Sequence, residues 1–217
     1  GRRHRRDLPW RATRDPWHVL VAEVMLQQTQ VDRVVPRWTE FCGRWPTPAA
    51  FAAVAPADML TAWQGLGYPR RVLHLHRAAQ RVVADHGGHL PRSLDTLLAL
   101  PGIGPYTARA VLAFAFEDDA AVVDTNVGRV LARRAGERLT PALAQRAADD
   151  WLPPGRAWEW NQTLLDLGAT VCRPAPECGA CPVATACAWR GGTGGTGGGA
   201  DPAAGSAGVS RRQARFD

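Results

Sequence analysis

The chain has 217 residues, a net charge of +6 and a pI near 9.7, and it is long enough for one large core or two small ones. The basic balance favours polyanionic partners, and no apolar run approaches the length of a membrane span. All 26 basic residues are arginine. Because arginine cannot be deprotonated at useful pH, the composition excludes any mechanism that needs a lysine Schiff base.

Helix signals recur along the chain, whereas strand signals are nearly missing. Asp15 and Pro16 form an N-cap followed by proline, which predicts a helix to about Gln28. Further helices are predicted at these places: after Thr47-Pro48, over residues 69–86 up to Gly87-Gly88, after Ser93, after Thr125, after Thr140-Pro141 and over residues 156–171. Only residues 121–123 look extended. The sequence therefore predicts an all-α protein.

A Pro-Gly-x-Gly turn joins two of the predicted helical segments. Its glycines, Gly102 and Gly104, leave backbone N–H groups bare at the start of the second helix. Such a turn can bind a phosphate without any sequence preference, which indicates DNA binding. An acid that could act below the bound nucleic acid, Asp124, lies just past the second helix.

Four of the five cysteines are crowded into a Cys-x5-Cys-x2-Cys-x5-Cys pattern formed by Cys172, Cys178, Cys181 and Cys187. Four thiolates at this spacing can hold one zinc ion or one iron–sulfur cluster. Zinc ribbons usually have two Cys-x2-Cys knuckles, so the single knuckle here favours the larger cluster. The remaining Cys42 is expected to be a small buried residue.

Taken in order, the glycine hairpin, the following aspartate and the cysteine quartet resemble the helix-hairpin-helix DNA glycosylases of the endonuclease III superfamily. Within it, three segments resemble the MutY adenine DNA glycosylases: Leu-Pro-Trp-Arg at residues 8–11, Glu-Val-Met-Leu-Gln-Gln-Thr at 23–29 and Gly-Leu-Gly-Tyr at 65–68. The resemblance covers about residues 7–190. Bifunctional relatives carry lysine where this chain has Tyr106, which implies glycosylase chemistry without a lyase step.

The resemblance implies a two-lobed fold. A six-helix barrel lobe with the hairpin is expected over residues 18–118, and a cluster-bearing helical lobe over residues 1–17 plus 119–190. By composition, residues 191–217 form a flexible tail. The four cysteines would hold a 4Fe-4S cluster that positions DNA-binding loops, although the first cysteine interval is one residue shorter than in relatives.

Two carboxylates carry the implied chemistry. Glu23 lies in an apolar run and would be the general acid, kept protonated by surroundings that raise a carboxyl pKa. From the residues alone it could equally belong to a polar stripe with Gln27 and Gln30. Asp124 would stay ionised and stabilise the positive charge on the sugar; a simple helix N-cap is its alternative.

The other implied site residues surround these two. Tyr106 and Asn126 match positions that support the sugar and the water, with a surface tyrosine and a capping asparagine as alternatives. Three residues match family positions that wedge into DNA: Gln28, Leu66 and Tyr68. Two residues match positions that line the base pocket: Trp10 and Arg11. Trp10 could equally be core, and Gly128 replaces a residue that is often basic in relatives.

The implied function is removal of adenine opposite 8-oxoguanine or guanine in double-stranded DNA by a monomeric bacterial enzyme in the cytoplasm. A mismatch thymine or uracil glycosylase on the same scaffold and a non-catalytic DNA-damage binding module remain as alternatives. The start without methionine and the abrupt end at residues 210–217 suggest a fragment. Lacking the further domain that reads 8-oxoguanine, it would discriminate the opposite base poorly.

Overall fold

The computed structural model describes residues 6–204, and this part of the chain contains helices but no β-strand, which confirms the all-α prediction. It divides into two compact units: Asp7–Asp118, and a second unit that contains Arg6 and the described residues from Asp119 onward. Residues 7–17 thus lie with 18–118, whereas the sequence grouped them with the C-terminal lobe. The reason is local packing, since Trp10 contacts Trp38 edge to face at 5.9 Å.

The unit Asp7–Asp118 is built around one buried helix. Its helices are α1 Pro16–Leu26, α2 Val31–Arg44, α3 Pro48–Ala52, α4 Pro56–Ala62, α5 Arg70–His86, α6 Leu94–Leu98 and α7 Pro105–Ala115, with a 3₁₀ turn at Pro9–Arg11. Helix α1 packs against α2, α5 and α7. It is apolar on nearly every face, which is the pattern of a helix enclosed by others.

Aromatic side chains fill the space between α1, α2, α3 and α5. Phe41 contacts Trp45, Phe51 and Trp63, with ring centroids 4.8 to 6.2 Å apart. Next to this cluster Cys42 is buried as expected, and burial raises the pKa of its thiol to about 12. Cys42 is therefore an inert core residue rather than a reactive thiol.

Most helices that were predicted begin where expected, but two helices were not predicted. Asp15, Thr47 and Thr140 cap their helices as expected. Helix α1 ends two residues early at Leu26, and helices α2 and α4 were not predicted at all. Pro36 lies inside α2, where a proline normally indicates a helix stop.

One cap differs from the prediction, since Ser93 occupies the N-cap position of α6 without a side-chain hydrogen bond. Helix α8 begins at Thr125 and is capped by Asp124, as the alternative for Asp124 predicted, because the Asp124 carboxylate accepts from the Val127 N–H.

The second unit is a three-helix core with an irregular cysteine loop. Helix α8 (Thr125–Ala135) packs against α9 (Pro141–Trp151) and α10 (Ala157–Thr170), and two 3₁₀ turns follow at Cys178–Ala180 and Ala184–Ala186. Fully buried Asn161 accepts from the Val122 N–H and donates to the Ala120 carbonyl. The Asn161 side chain therefore provides backbone groups of the extended residues before α8 with hydrogen-bond partners that a neighbouring strand would otherwise provide.

Residues 191–204 of the predicted flexible tail form neither helix nor strand, and they contact the rest of the second unit. Asp201 forms an ion pair with buried Arg133 at 2.6 Å, and Ala203 is only 6% exposed. Residues 205–217 of the predicted tail and residues 1–5 lie outside the described part of the chain. Among residues 6–204, no helix combines the length and the apolar character that crossing a bilayer requires.

Candidate active site and cysteine loop

The site residues predicted from the sequence fall into both units. The unit Asp7–Asp118 holds these: Trp10, Arg11, Glu23, Gln28, Leu66, Tyr68, Gly102, Gly104 and Tyr106. The second unit holds these: Asp124, Asn126, Cys172, Cys178, Cys181 and Cys187.

Glu23 is placed inside its unit by α1. It is 6% exposed on a helix whose other buried residues are all apolar. One turn further on, the Gln27 amide donates to the Thr107 hydroxyl on α7 at 3.4 Å, and half-buried Tyr106 is the neighbour of Thr107. Glu23 and Gln27 are therefore directed into the unit, whereas Gln30, the third member of the alternative polar stripe, is exposed.

The glycine hairpin before α7 is held tightly against α5. Gly102 has φ +77°, and a Cβ at that position would lie 2.6 Å from the His74 Cβ. Gly104 is the N-cap residue of α7 and provides no side-chain hydrogen bond to the helix start. The start of this eleven-residue helix therefore has no side-chain cap, and a helix start of this kind can bind an anion.

Two neighbouring turns present the residues expected to enter DNA. Gln28 is exposed with φ +57°, and Tyr68 is 59% exposed with φ +48°. Both are non-glycine residues in the left-handed region, which is uncommon and is often found at functional positions. Leu66 is only 4% exposed, so its side chain is packed within the unit.

Arg71, which was not among the site residues predicted from the sequence, joins these two turns. One guanidinium nitrogen donates to the carbonyls of Val24, Met25 and Gln27, and the other donates to the Thr29 hydroxyl and to the carbonyls of Leu66 and Gly67. Burial lowers the pKa of Arg71 to about 10. The available signal was an arginine beside Val72 and Leu75 on the apolar face of α5.

Trp10 and Arg11 lie at the start of the same unit. Trp10 is 7% exposed, and its ring contacts Trp38, so it contributes to the core in any case. Arg11 is half-buried, and its carbonyl accepts from Arg14 at 3.3 Å.

Asp124 caps α8 from a half-buried position. Its carboxylate accepts from the Val127 N–H at 2.7 Å and from the Asn126 amide at 2.9 Å. Desolvation raises the pKa of Asp124, while these bonds and the charge of Arg129 act in the opposite direction. The expected ionised form of Asp124 therefore depends on the Val127 and Asn126 donors. Asp124 is also the N-cap of α8, as the alternative interpretation predicted, and this does not conflict with a catalytic role.

A chain of hydrogen bonds leads from Asp124 to the cysteine loop. Asn126, which donates to Asp124, accepts from Arg129 at 2.8 Å. Arg129 donates in turn to the carbonyls of Gly168 and Cys172, each at 2.7 Å. Gly168 permits this arrangement because a Cβ there would lie 2.8 Å from the Asn126 Cβ and 2.9 Å from its carbonyl oxygen.

The four clustered cysteines line one cavity that is partly open to solvent, together with Arg133 and Trp189. All four are free thiols. Burial raises the pKa of Cys181 and Cys187, so thiolates here need a positive partner. Within residues 6–204, no group of three His, Cys, Asp or Glu side chains is arranged for a single metal ion. A donor set of four sulfurs around one cavity fits an iron–sulfur cluster.

Comparisons with known proteins agree with this arrangement. The family model described as HhH-GPD superfamily base excision DNA repair protein matches residues 21–154. A protein of Mycolicibacterium smegmatis named adenine DNA glycosylase is 47% identical over 192 residues, which are 86% of this chain and 65% of that relative. The human protein of the same name is 40% identical over 203 residues, 84% of this chain and 36% of the relative. The chain thus spans less than two thirds of the length of these relatives.

Solved structures share the fold. A thermostable thymine-DNA glycosylase superposes with a TM-score of 0.80 at 32% identity, covering 84% of this chain and 88% of that one. A trapped endonuclease III–DNA covalent intermediate has a TM-score of 0.73 at 24% identity, covering 80% and 84%. At that identity the second likeness concerns the fold alone.

Proposed function

Because the chain belongs to the HhH-GPD superfamily of base excision DNA repair proteins, we propose that it removes adenine from double-stranded DNA by hydrolysing the N-glycosidic bond. The substrate we propose is adenine opposite 8-oxoguanine or guanine. Relatives named adenine DNA glycosylase at 40–47% identity support the choice of base. The observation that carries the proposal is the burial of Glu23 in an otherwise apolar helix core.

Glu23 is the proposed general acid. Burial disfavours the charged form of a carboxyl group, and a carboxyl group that is neutral can donate a proton. Protonation of an adenine ring nitrogen turns a poor leaving group into a better one. The buried position of Glu23 on α1 requires the base to be extruded from the duplex before it can be reached.

Asp124 is the proposed stabiliser of the sugar. Cleavage of the N-glycosidic bond builds positive charge on the sugar, and a carboxylate stabilises that charge or traps it covalently. Asn126 orients the Asp124 carboxylate by its hydrogen bond. We assign to Tyr106 a supporting role at the sugar, since no lysine is present in the chain to perform a lyase step.

The hairpin and the two turns are the proposed DNA contacts. Gly102 and Gly104 present N–H groups to a phosphate, and Trp10 and Arg11 line the base pocket. Tyr68 and Gln28 are exposed and enter the gap left by the extruded base. Buried Leu66 supports these two turns from within, which revises its expected role as a wedge.

A 4Fe-4S cluster is the proposed cofactor, held by Cys172, Cys178, Cys181 and Cys187. When bound, it joins the four thiolates of the irregular loop into one rigid structure and takes no redox part in base removal. Arg129 holds the loop to α8 through the Cys172 carbonyl. We further propose that the protein acts as a monomer on chromosomal DNA in the bacterial cytoplasm.

Single-turnover excision from a duplex with adenine opposite 8-oxoguanine tests the function. Glu23→Gln keeps the size of the side chain and removes the acid, so excision is expected to fall by about 10²–10⁴-fold, the range for a general acid. DNA affinity should stay near that of the wild type and weaken steeply with salt. The matched control is Glu40→Gln at an exposed position of α2, and this variant should excise normally. Equal excision by the wild type and Glu23→Gln would refute the assignment.

A second candidate is removal of thymine from a T·G mismatch. The superposition on a thymine-DNA glycosylase at 32% identity favours it. A duplex with thymine opposite guanine, assayed beside the adenine duplex, separates the two candidates. Release of thymine alone would overturn the adenine proposal, and tight binding without release of either base would indicate a binding module.

A further inference from the structure

We propose that residues 190–204, here called the strap, form part of the cofactor site and retain the cluster by closing over the cysteine loop. The inference rests on the 4Fe-4S cluster of the proposed function. The strap follows the last cysteine and is rich in glycine, a composition that by itself predicts a flexible linker.

The strap is hydrogen-bonded to the loop that carries the second cysteine. The Thr193 N–H donates to the Pro176 carbonyl at 3.1 Å, and the Thr193 carbonyl accepts from the Gly179 N–H at 3.0 Å. These two bonds bracket Cys178 on both sides along the sequence. Backbone pairing of this kind fixes the position of a segment, as it does in a sheet.

Glycine is required in the strap because its backbone approaches the loop too closely for a side chain. A Cβ on Gly192 would lie 2.5 Å from the Pro176 carbonyl oxygen and 2.9 Å from the Cys178 sulfur. A Cβ on Gly194 would lie 2.9 Å from the Gly179 Cα. Separations under 3.0 Å are not found for real side chains, so the glycines serve close packing rather than flexibility.

A second anchor holds the far end of the strap. Asp201 makes two hydrogen bonds to the guanidinium of Arg133, at 2.6 and 3.0 Å. Arg133 is 2% exposed, and it also donates to the Cys172 sulfur at 3.5 Å and to the Arg173 carbonyl at 2.6 Å. The Trp189 ring lies 4.7 Å from the same guanidinium.

The two anchors act on different cysteines. The Thr193 pairing fixes the loop at Cys178, and the Asp201–Arg133 pair fixes it at Cys172. These two cysteines are the ends of the first Cys-x5-Cys interval. The strap therefore holds the two ligands in place and covers the Cys178 sulfur, as outer contacts do in other metal sites.

Retention of iron by the purified chain tests the strap. The variants are Gly192→Ala and Asp201→Asn, with Gly198→Ala and exposed Asp150→Asn as matched controls. Gly198 has no atom within 4 Å of the added Cβ. The readouts are iron per chain and the rate at which visible absorbance fades under a chelator or an oxidant. Both strap variants are expected to lose iron about tenfold faster than wild type, the usual effect of losing an outer contact.

The outcomes separate the strap from the function. Wild-type protein that carries iron, with strap variants fading at the rate of the controls, overturns the strap alone. Wild-type protein without iron overturns both the cofactor and the strap. Iron-loaded wild type that excises no adenine counts against the glycosylase while leaving the strap intact. Should Gly192→Ala fail to fold, Asp201→Asn, which changes one charge and no volume, still decides the question.

Discussion

The guanidinium of Arg71 lies 2.6 Å from the carbonyl oxygen of Gln27 and also donates to the carbonyl of Gly67 at 3.0 Å. One side chain thus joins the end of α1 to the turn that carries Tyr68. The bonds are charge-assisted, and they satisfy the carbonyls that the end of α1 leaves without helical partners. The turns that carry exposed Gln28 and Tyr68, the proposed wedge residues, are therefore both joined to one buried cation.

Replacing Arg71 should destabilise the unit that contains it. Arg71→Met keeps much of the volume and leaves several buried carbonyls without donors, so we expect a loss of about 3–5 kcal/mol. At roughly 2–4 °C per kcal/mol for a chain of this size, the midpoint of thermal unfolding should fall by at least 6 °C.

Arg70→Met is the matched control, since Arg70 is the exposed neighbour on the same helix. Its unfolding midpoint should stay within about 2 °C of wild type, because exposed charges contribute little to stability. Similar midpoints for both variants would show that the Arg71 bonds do not hold the turns together.

The two glycines of the hairpin should respond differently to alanine. Gly102→Ala puts a side chain into the left-handed region and against His74, which costs about 1–2 kcal/mol for the backbone alone. The hairpin must shift, and affinity for duplex DNA is expected to fall about tenfold. Titration of labelled duplex at fixed salt measures this.

Gly104→Ala is the control for the hairpin. A Cβ there meets no atom within 4 Å, and the backbone is at φ −93°, so neither clash nor strain arises. We expect an affinity close to wild type. A larger loss at Gly104 than at Gly102 would mean that side-chain volume near the phosphate, rather than hairpin geometry, limits binding.

Local patterns in the sequence were sufficient for much of the fold and part of the candidate site. The caps at Asp15 and Thr47 and the glycine hairpin are signals within a few residues, and such signals can be read directly. Arg71 and the strap could not be read in this way. Their roles depend on which distant backbone approaches them, and neither propensity nor periodicity encodes that approach.

Two helical glycines in the second unit, Gly168 and Gly128, allow the gain in helix propensity on replacement by alanine to be compared with the cost of a close contact. Gly168→Ala in α10 should gain about 1 kcal/mol of helix propensity. It would also push on the Asn126 backbone, which lies only 2.9–3.0 Å from the added Cβ. We expect net destabilisation and a loss of excision, because Asn126 orients Asp124. Thermal unfolding and single-turnover excision measure the two effects.

Gly128→Ala in α8 isolates the propensity gain. The nearest atom to its Cβ would be a Val123 methyl at 3.9 Å, an ordinary contact. This variant should be more stable than wild type by about 1 kcal/mol and excise normally. If Gly168→Ala were stabilised to the same extent, the close approach of α10 to Asn126 would not constrain the site.

The buried carboxyl of Asp124 should make the folded chain less stable near neutral pH than an amide would. Burial raises its folded pKa, so the folded state binds the proton more tightly than the unfolded state does. Its favourable contribution is complete below the unfolded pKa, about 4, and is lost as the pH rises through the folded pKa. Asp124→Asn keeps an N-cap and removes this cost, so it should unfold at a higher temperature than wild type at about pH 7.

That gain should shrink as the pH is lowered toward about 4, where the wild-type carboxyl becomes neutral in both states. Excision by Asp124→Asn should be lost at every pH, since the charge that stabilises the sugar is gone. Exposed Asp150→Asn, measured by the same thermal scans, should show neither the gain nor the pH dependence. A gain for Asp124→Asn that is equal at both pH values would mean that the carboxyl is not destabilised by burial. A charged Asp124 that lowers the stability of the fold is expected if the residue is kept for its function rather than for folding.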